Sequence, residues 1–136
     1  MLRHKVAFFF ATISTVVACS PREHGGRPPE NQGGQALCSS TDQYGKASYY
    51  SDRLAGHATA SGAPYEPHAF TAAHRTLRFG TVVEVVRLDS GARVRVRIND
   101  RGPFKAGRVI DLSSRAADVL RMKRAGVVDV CVRSGL

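Results

Sequence analysis

"TLRFGTVVEVVRLDSGARVRVRINDRGPF" runs from Thr76 to Phe104. Thr81 to Leu88 is dominated by β-branched residues and reads as a strand. Asp89-Ser90-Gly91 is a hairpin turn, with a glycine free to take positive φ. Ala92, Val94, Val96 and Ile98 then alternate with Arg93, Arg95 and Arg97. That period of two predicts one buried face and one wet, basic face. At Asn99-Asp100-Arg101-Gly102-Pro103-Phe104 the composition becomes that of a tight turn, with an acid beside a base. A turn needs neither. Asn and Asp side chains bonding local backbone would be one explanation. Chemistry at Asp100 is the other.

Outward from this stretch the chain keeps the same grain. Ala47 to Tyr50 reads as a short strand. "GHATASGAPYEPHAF", residues 56–70, is too rich in Gly, Pro and small residues for regular structure and reads as a long ordered loop. Val109 to Leu112 is a short strand. Ser113 or Ser114 caps a helix running to about Met122, with Ala116, Ala117 and Leu120 inward and Gly126 as its breaker. Val128, Val130 and Val132 form the inner face of a last strand, so Cys131 points outward. Short strands with one helix in some 90 residues predict a small β-barrel.

The 136 residues suffice for one small domain, and the formal charge is +9. A basic surface fits an anionic partner such as nucleic acid, acidic lipid or an acidic polymer, or simply solvent. Lys/Arg blocks, zinc-finger spacing and nucleic-acid modules are missing, so no nucleic-acid partner is expected. The five His and three Cys show no zinc-like spacing, and neither metal nor cofactor is expected.

The N-terminus carries an address. Arg3 and Lys5 precede an apolar run from Val6 to Val17, too short to span a bilayer comfortably. It ends Val16-Val17-Ala18-Cys19, which resembles a bacterial lipobox; the resemblance implies lipidation of Cys19, and Ser20 after it favours the outer membrane. Loss of residues 1–18 removes two basic residues and no acid, leaving +7. The following residues, rich in Gly, Pro, Gln and Ser, read as a tether reaching about 20 Å. In that oxidising compartment the two remaining cysteines, Cys38 and Cys131, are expected to pair. The expected organisation is a signal over 1–18, a lipid-anchored tether over 19–43 and a barrel domain over 44–136.

"GKASYYSDRLAGHATASG", "PHAFTAAHRTLRFGTVVEVVRL", "VRINDRGPF", "GRVIDLS" and "AADVL" stand in the order and spacing of the rare lipoprotein A family, which the stretch from Tyr44 to Arg133 resembles. The resemblance implies a mainly β fold, a six-stranded double-psi β-barrel with one or two short helices. It implies a monomeric envelope lipoprotein that binds peptidoglycan glycan strands near division-site proteins. Active members are endolytic lytic transglycosylases that cut after N-acetylmuramic acid and prefer peptide-free strands. Many carry a C-terminal peptidoglycan-binding domain; none is expected here, the sequence ending at Leu136.

By the same resemblance Asp100 is the acid/base and His74 lines its groove, bonding the acid or a sugar. Arg101 turns to a substrate carboxylate or to solvent. Tyr50 and Tyr65 (with Tyr49) offer faces for stacking sugars, or pack the core. Ser61 and Glu66 complete the expected substrate-binding set. Asp111 reads as structural, bonding backbone or a strand neighbour. One position departs: active relatives place Glu directly after "TASG", where this chain has Ala63. Either Glu66 compensates, or Asp100 acts alone, or the protein binds glycan without cutting it, like an expansin.

Overall fold

The structure, a computed structural model, describes residues 37–136. The export signal, Cys19 and most of the expected tether lie outside the described residues. Six strands close into a barrel. They are β1 (Gln43–Tyr49), β2 (Thr71–Ala73), β3 (Val82–Arg87), β4 (Arg93–Asp100), β5 (Arg108–Leu112) and β6 (Val128–Ser134). Their order around the barrel is β1-β5-β2-β4-β3-β6. The pairs β1–β5 and β2–β4 are parallel, and the other pairs are antiparallel. This is the expected double-psi β-barrel.

The alternation read in β4 sets its two faces. Val94, Val96 and Ile98 enter the core, while Arg93, Arg95 and Arg97 are exposed. Val83 and Val85 of β3 and Val128, Val130 and Val132 of β6 meet them inside. A single helix, α1 (Ser114–Val119), closes the core with Ala116, Ala117 and Leu120. Its N-cap is Ser113, whose side chain accepts from the Ala116 amide.

β1 runs Gln43–Tyr49 rather than the expected Ala47 to Tyr50, and two further elements differ from the sequence reading. The helix stops at Val119, with Leu120 as C-cap, and not at Met122. Arg121 takes a left-handed φ of 52°. The Met122 amide then bonds the Ala117 carbonyl, and the Arg121 amide bonds that of Asp118. This is a Schellman closure, which turns Met122 into the core. The motif normally has Gly where this chain has Arg121, so the early stop carries no composition signal. The second difference is β2, three residues long and too short to show a period.

The outer face of β6 carries a second apolar cluster. Cys131 points away from the barrel interior, as its alternation predicts, yet it is fully buried. Val86 and Leu88 flank it, and Leu37 and Cys38 cover it. The segment before β1 therefore packs on the barrel, ahead of the expected start at Tyr44. Arg133 fastens it, bonding the Leu37 carbonyl and the Asp42 carboxylate. Cys38 and Cys131 are disulfide-bonded, with Cα atoms 5.7 Å apart and a sequence separation of 93.

Closing a loop of that length removes freedom from the unfolded chain. Reduction should therefore lower the unfolding free energy by about 2–4 kcal/mol. Urea unfolding with and without dithiothreitol reads this directly, and an unchanged midpoint would show that the bridge adds no stability.

Candidate active site

Asp100 ends β4, and the pairing with β2 decides where it points. Thr71 lies opposite Arg97 and Ala72 opposite Ile98, but Ala73 lies opposite Asp100. Asn99 is the extra residue of a bulge. Simple alternation after the inward Ile98 would turn Asp100 inward as well. The slip of one residue carries it to the outer surface instead.

Three donors meet its carboxylate. Oδ1 accepts from the Ala60 amide and from the Arg101 amide, each at 2.8 Å. Oδ2 accepts from the Tyr50 hydroxyl at 2.9 Å. The Ala60 amide is aimed by the loop over 56–65, which behaves as a miniature hairpin. Across it the Gly56 amide donates to the Tyr65 carbonyl, and the Tyr65 amide donates to the His57 carbonyl. The Thr59 amide and hydroxyl both donate to the Ala63 carbonyl. Gly62 turns the tip at φ 90°, and the Ser61 amide ties the loop to the Asn99 carbonyl.

Tyr50 follows β1 and is held by its amide on the Leu112 carbonyl. Burial first, then the bond to Asp100, pushes its hydroxyl above the usual tyrosine range, so it stays a proton donor. The Tyr65 ring packs edge-on against it at 5.3 Å. Burial likewise raises the Tyr65 hydroxyl, which accepts from the Ser114 amide. Tyr50, Tyr65 and Asp100 line a hollow of about 100 Å³ with Leu54, His57, Ala58 and Thr59. A wider one of about 470 Å³ includes Tyr49, Ser51, Arg53 and Lys123.

The other expected site residues are placed differently. His74 is Asp100's backbone neighbour, its amide bonding the Asp100 carbonyl at 3.1 Å. Its ring, 4% exposed, is fully engaged elsewhere. Nδ1 accepts from the Thr76 and Leu77 amides, which assigns the proton to Nε2, the donor to the Gln43 side chain at 2.6 Å. Burial, with Arg101 and Arg75 nearby, holds its pKa below the ordinary 6.5, so the ring is neutral. Arg101 takes neither direction the sequence left open. Its guanidinium donates to the His74 and Leu77 carbonyls and lies 3.9 Å from the Phe79 ring centroid. Ser61 adjoins Asp100 through the loop, its hydroxyl bonded to Thr59. Glu66 is exposed beyond Tyr65 and does not line the hollow.

Asp111 accepts from the Ser48 hydroxyl, on the strand neighbour opposite it in register. It and Asp100 flank Ala73 from β5 and β4, so their backbones stand about 10 Å apart. Sequence reasoning missed the Ala60 amide and the Tyr50 hydroxyl as the holders of Asp100. Backbone donors leave no mark in residue type, and Tyr50 read equally well as a stacking ring.

Because His74 is neutral when folded, its unfolded form binds a proton first as pH falls. Stability from this group is thus present above pH 6.5 and lost as pH falls below it. The His74→Gln variant should show a flatter loss of unfolding free energy than wild type between about pH 7 and 5. Identical slopes would mean the ring is not held neutral.

Comparison with known proteins agrees with this fold. The lytic transglycolase family matches residues 42–132. The probable endolytic peptidoglycan transglycosylase RlpA of Treponema pallidum is 56% identical over 88 residues, covering 65% of this chain and 28% of that protein. The endolytic peptidoglycan transglycosylase RlpA of Vibrio cholerae is 45% identical over 86 residues, covering 63% of this chain and 33% of that protein. The chain thus spans about a third or less of the curated relatives it matches. Among solved structures, an expansin of Clavibacter michiganensis in complex with cellohexaose shares the fold, with a TM-score of 0.56 and 20% identity, over 70% of this chain and 50% of that one. A barrel of this topology, with the family's match running from before β1 into β6, makes the chain a member of the lytic transglycolase family.

Proposed function

We propose that the protein is an endolytic peptidoglycan lytic transglycosylase with Asp100 as its general acid and base. The observation that carries this reading is the Asp100 carboxylate. It is turned out of the barrel, fixed by Tyr50 and Ala60, and is the one carboxylate lining the hollow among the described residues. Protonated Asp100 gives its proton to the glycosidic oxygen as the bond from C1 to that oxygen breaks. The resulting carboxylate, with Tyr50 beside it, faces the oxocarbenium-like centre. It then takes the proton of the sugar's own 6-hydroxyl as O6 bonds C1, closing a 1,6-anhydro ring. One carboxyl group serves both transfers. His74 and Arg101 act as positioning residues, since their polar groups hold the turn after β2.

A second reading, glycan binding without cleavage, is favoured by Ala63, whose exposed side chain offers no carboxylate. We further propose an envelope location, with Cys19 lipidated at the outer membrane and division-site proteins as neighbours; the carrying observation is the sequence ending in Val16-Val17-Ala18-Cys19. Cys19→Ser should release the protein into the soluble periplasmic fraction, and unchanged membrane partition would refute the anchor.

Digestion of purified peptide-free glycan strands, read by mass for 1,6-anhydro ends, decides between cutting and binding. Asp100→Asn keeps the shape and removes the transferable proton. It should lower product formation by about 100-fold or more while retaining binding. Ala63→Glu should raise the rate. Cleavage that survives Asp100→Asn undiminished would end the catalytic assignment. Binding without any cleavage, even with Ala63→Glu, would establish the second reading.

A further inference from the structure

On the basic face of β4, Arg95 and Arg97 take no part in the fastening of the N-terminal segment or in the hold on Asp100. Arg93, Arg95 and Arg97 are exposed in a row, with about 6.7 Å between successive members. The row ends at the site. The slip at Ala72/Ala73 that turns Asp100 outward sets it on the same outer surface as Arg97. From Arg97 to Asp100 is about 10 Å along the strand, and from Arg93 about 23 Å.

The acids facing this row are few and already engaged. Glu84 of β3 stands opposite Arg95 in register, but its carboxylate is shared by Arg93 at 3.7 Å and Arg133 at 3.3 Å. Arg133 also holds Asp42. Among the described residues no carboxylate pairs with Arg95 or Arg97. Arg97 is nonetheless aimed: one guanidinium nitrogen donates to the Gly80 carbonyl at 3.1 Å, which leaves the rest of the fork toward solvent. Its cross-strand neighbours, Thr71 and Val82, bear no charge. The result is a strip of unneutralised guanidinium groups, continuous with the surface that carries Asp100.

We infer that Arg95 and Arg97 form an extended subsite for the carboxylates borne by the glycan strand, so that the enzyme takes a polyanionic glycan and not a neutral one. The inference rests on the transglycosylase reading and deepens it. A glycan of N-acetylglucosamine and N-acetylmuramic acid carries its negative charge on the lactyl side chain. That carboxylate is free once the stem peptide is removed, and in an intact strand the peptide carries carboxylates of its own. A planar guanidinium suits either source, accepting a carboxylate on two parallel N–H bonds. A neutral strand has nothing to offer the row.

The test is equilibrium binding in an Asp100→Asn background, so that strands persist. Arg95→Gln/Arg97→Gln is compared with its parent and with Arg95→Lys/Arg97→Lys. The probes are peptide-free strands, the same strands with carboxylates amidated, peptide-bearing strands, neutral chitohexaose and phosphatidylglycerol vesicles. The parent should bind peptide-free strands about tenfold more tightly than the Gln pair, with part of the loss restored by Lys. Added salt should erase the difference. Amidated strands should bind parent and variant alike. Peptide-bearing strands showing the same Arg dependence would identify the peptide as a second carboxylate source and support the inference. Equal binding of native and amidated strands by the parent would overturn it and leave the transglycosylase reading standing. Vesicles bound as tightly, with the same Arg dependence, would also overturn it in favour of a membrane surface. Failure to bind any glycan would remove the transglycosylase reading itself, and the inference with it.

Discussion

The site depends on one extra residue between two parallel strands. Ala72 faces Ile98 and Ala73 faces Asp100, so Asn99 is left over in β4. Without that bulge the carboxylate would follow Ile98 into a core of Val, Ile, Leu and Met side chains. An unpaired buried charge there costs several kcal/mol. With it, Asp100 emerges on the surface and meets the Ala60 amide and the Tyr50 hydroxyl. The bulge also fixes the loop above, because the Ser61 amide bonds the Asn99 carbonyl. A one-residue defect in the ladder thus both exposes the acid and anchors the segment that holds it.

The arginines of the turns around Asp100 differ in kind from those of the β4 row. Arg75 donates to the carbonyls of Pro103, Lys105 and Arg108, and Arg101 to those of His74 and Leu77. These satisfy backbone acceptors in the loops around β2 and before β5, and at Arg108, the first residue of β5. They also place positive charge beside His74, which adds to the larger effect of burial in keeping its imidazole neutral. The base beside Asp100 in sequence is therefore no ion-pair partner for it. Its backbone amide bonds the carboxylate, while its guanidinium serves the turn after β2. The β4 row is the other kind, exposed and without backbone duty except at Arg97.

Legibility in the sequence followed the length and regularity of each element. β4 showed its period of two because one face packs the core and the other is wet, the inward valines of β6 showed theirs, and β3 was legible through its β-branched residues. β2 has three residues, and no period fits in three. The helix end at Arg121 was hidden because a left-handed non-glycine position has no composition marker. Cys131 was correctly read as outward, but outward proved to mean beneath Leu37 and Cys38. At the site, Asp100 was singled out by its motif, whereas its donors were not. Which amide reaches a carboxylate 40 residues away is settled by the folded loop and by no residue in it.

That same property bears on Ala63. The loop over 56–65 is shaped by the Ala63 carbonyl, which accepts from the Thr59 amide and hydroxyl, and not by the side chain at that position. The exposed methyl of Ala63 can replace a carboxylate without moving the Ala60 amide off Asp100. Glu66 lies outside the hollow, and Asp111 is engaged with Ser48 on the next strand. Neither substitutes for the absent acid. What lines the smaller hollow is a single carboxylate, Asp100, with a tyrosine held protonated at its side. A reaction whose nucleophile is the sugar's own hydroxyl requires no second carboxylate to activate water. Under the proposed transglycosylase reading, Ala63 therefore bears on the rate of cleavage, while Asp100 keeps its donors.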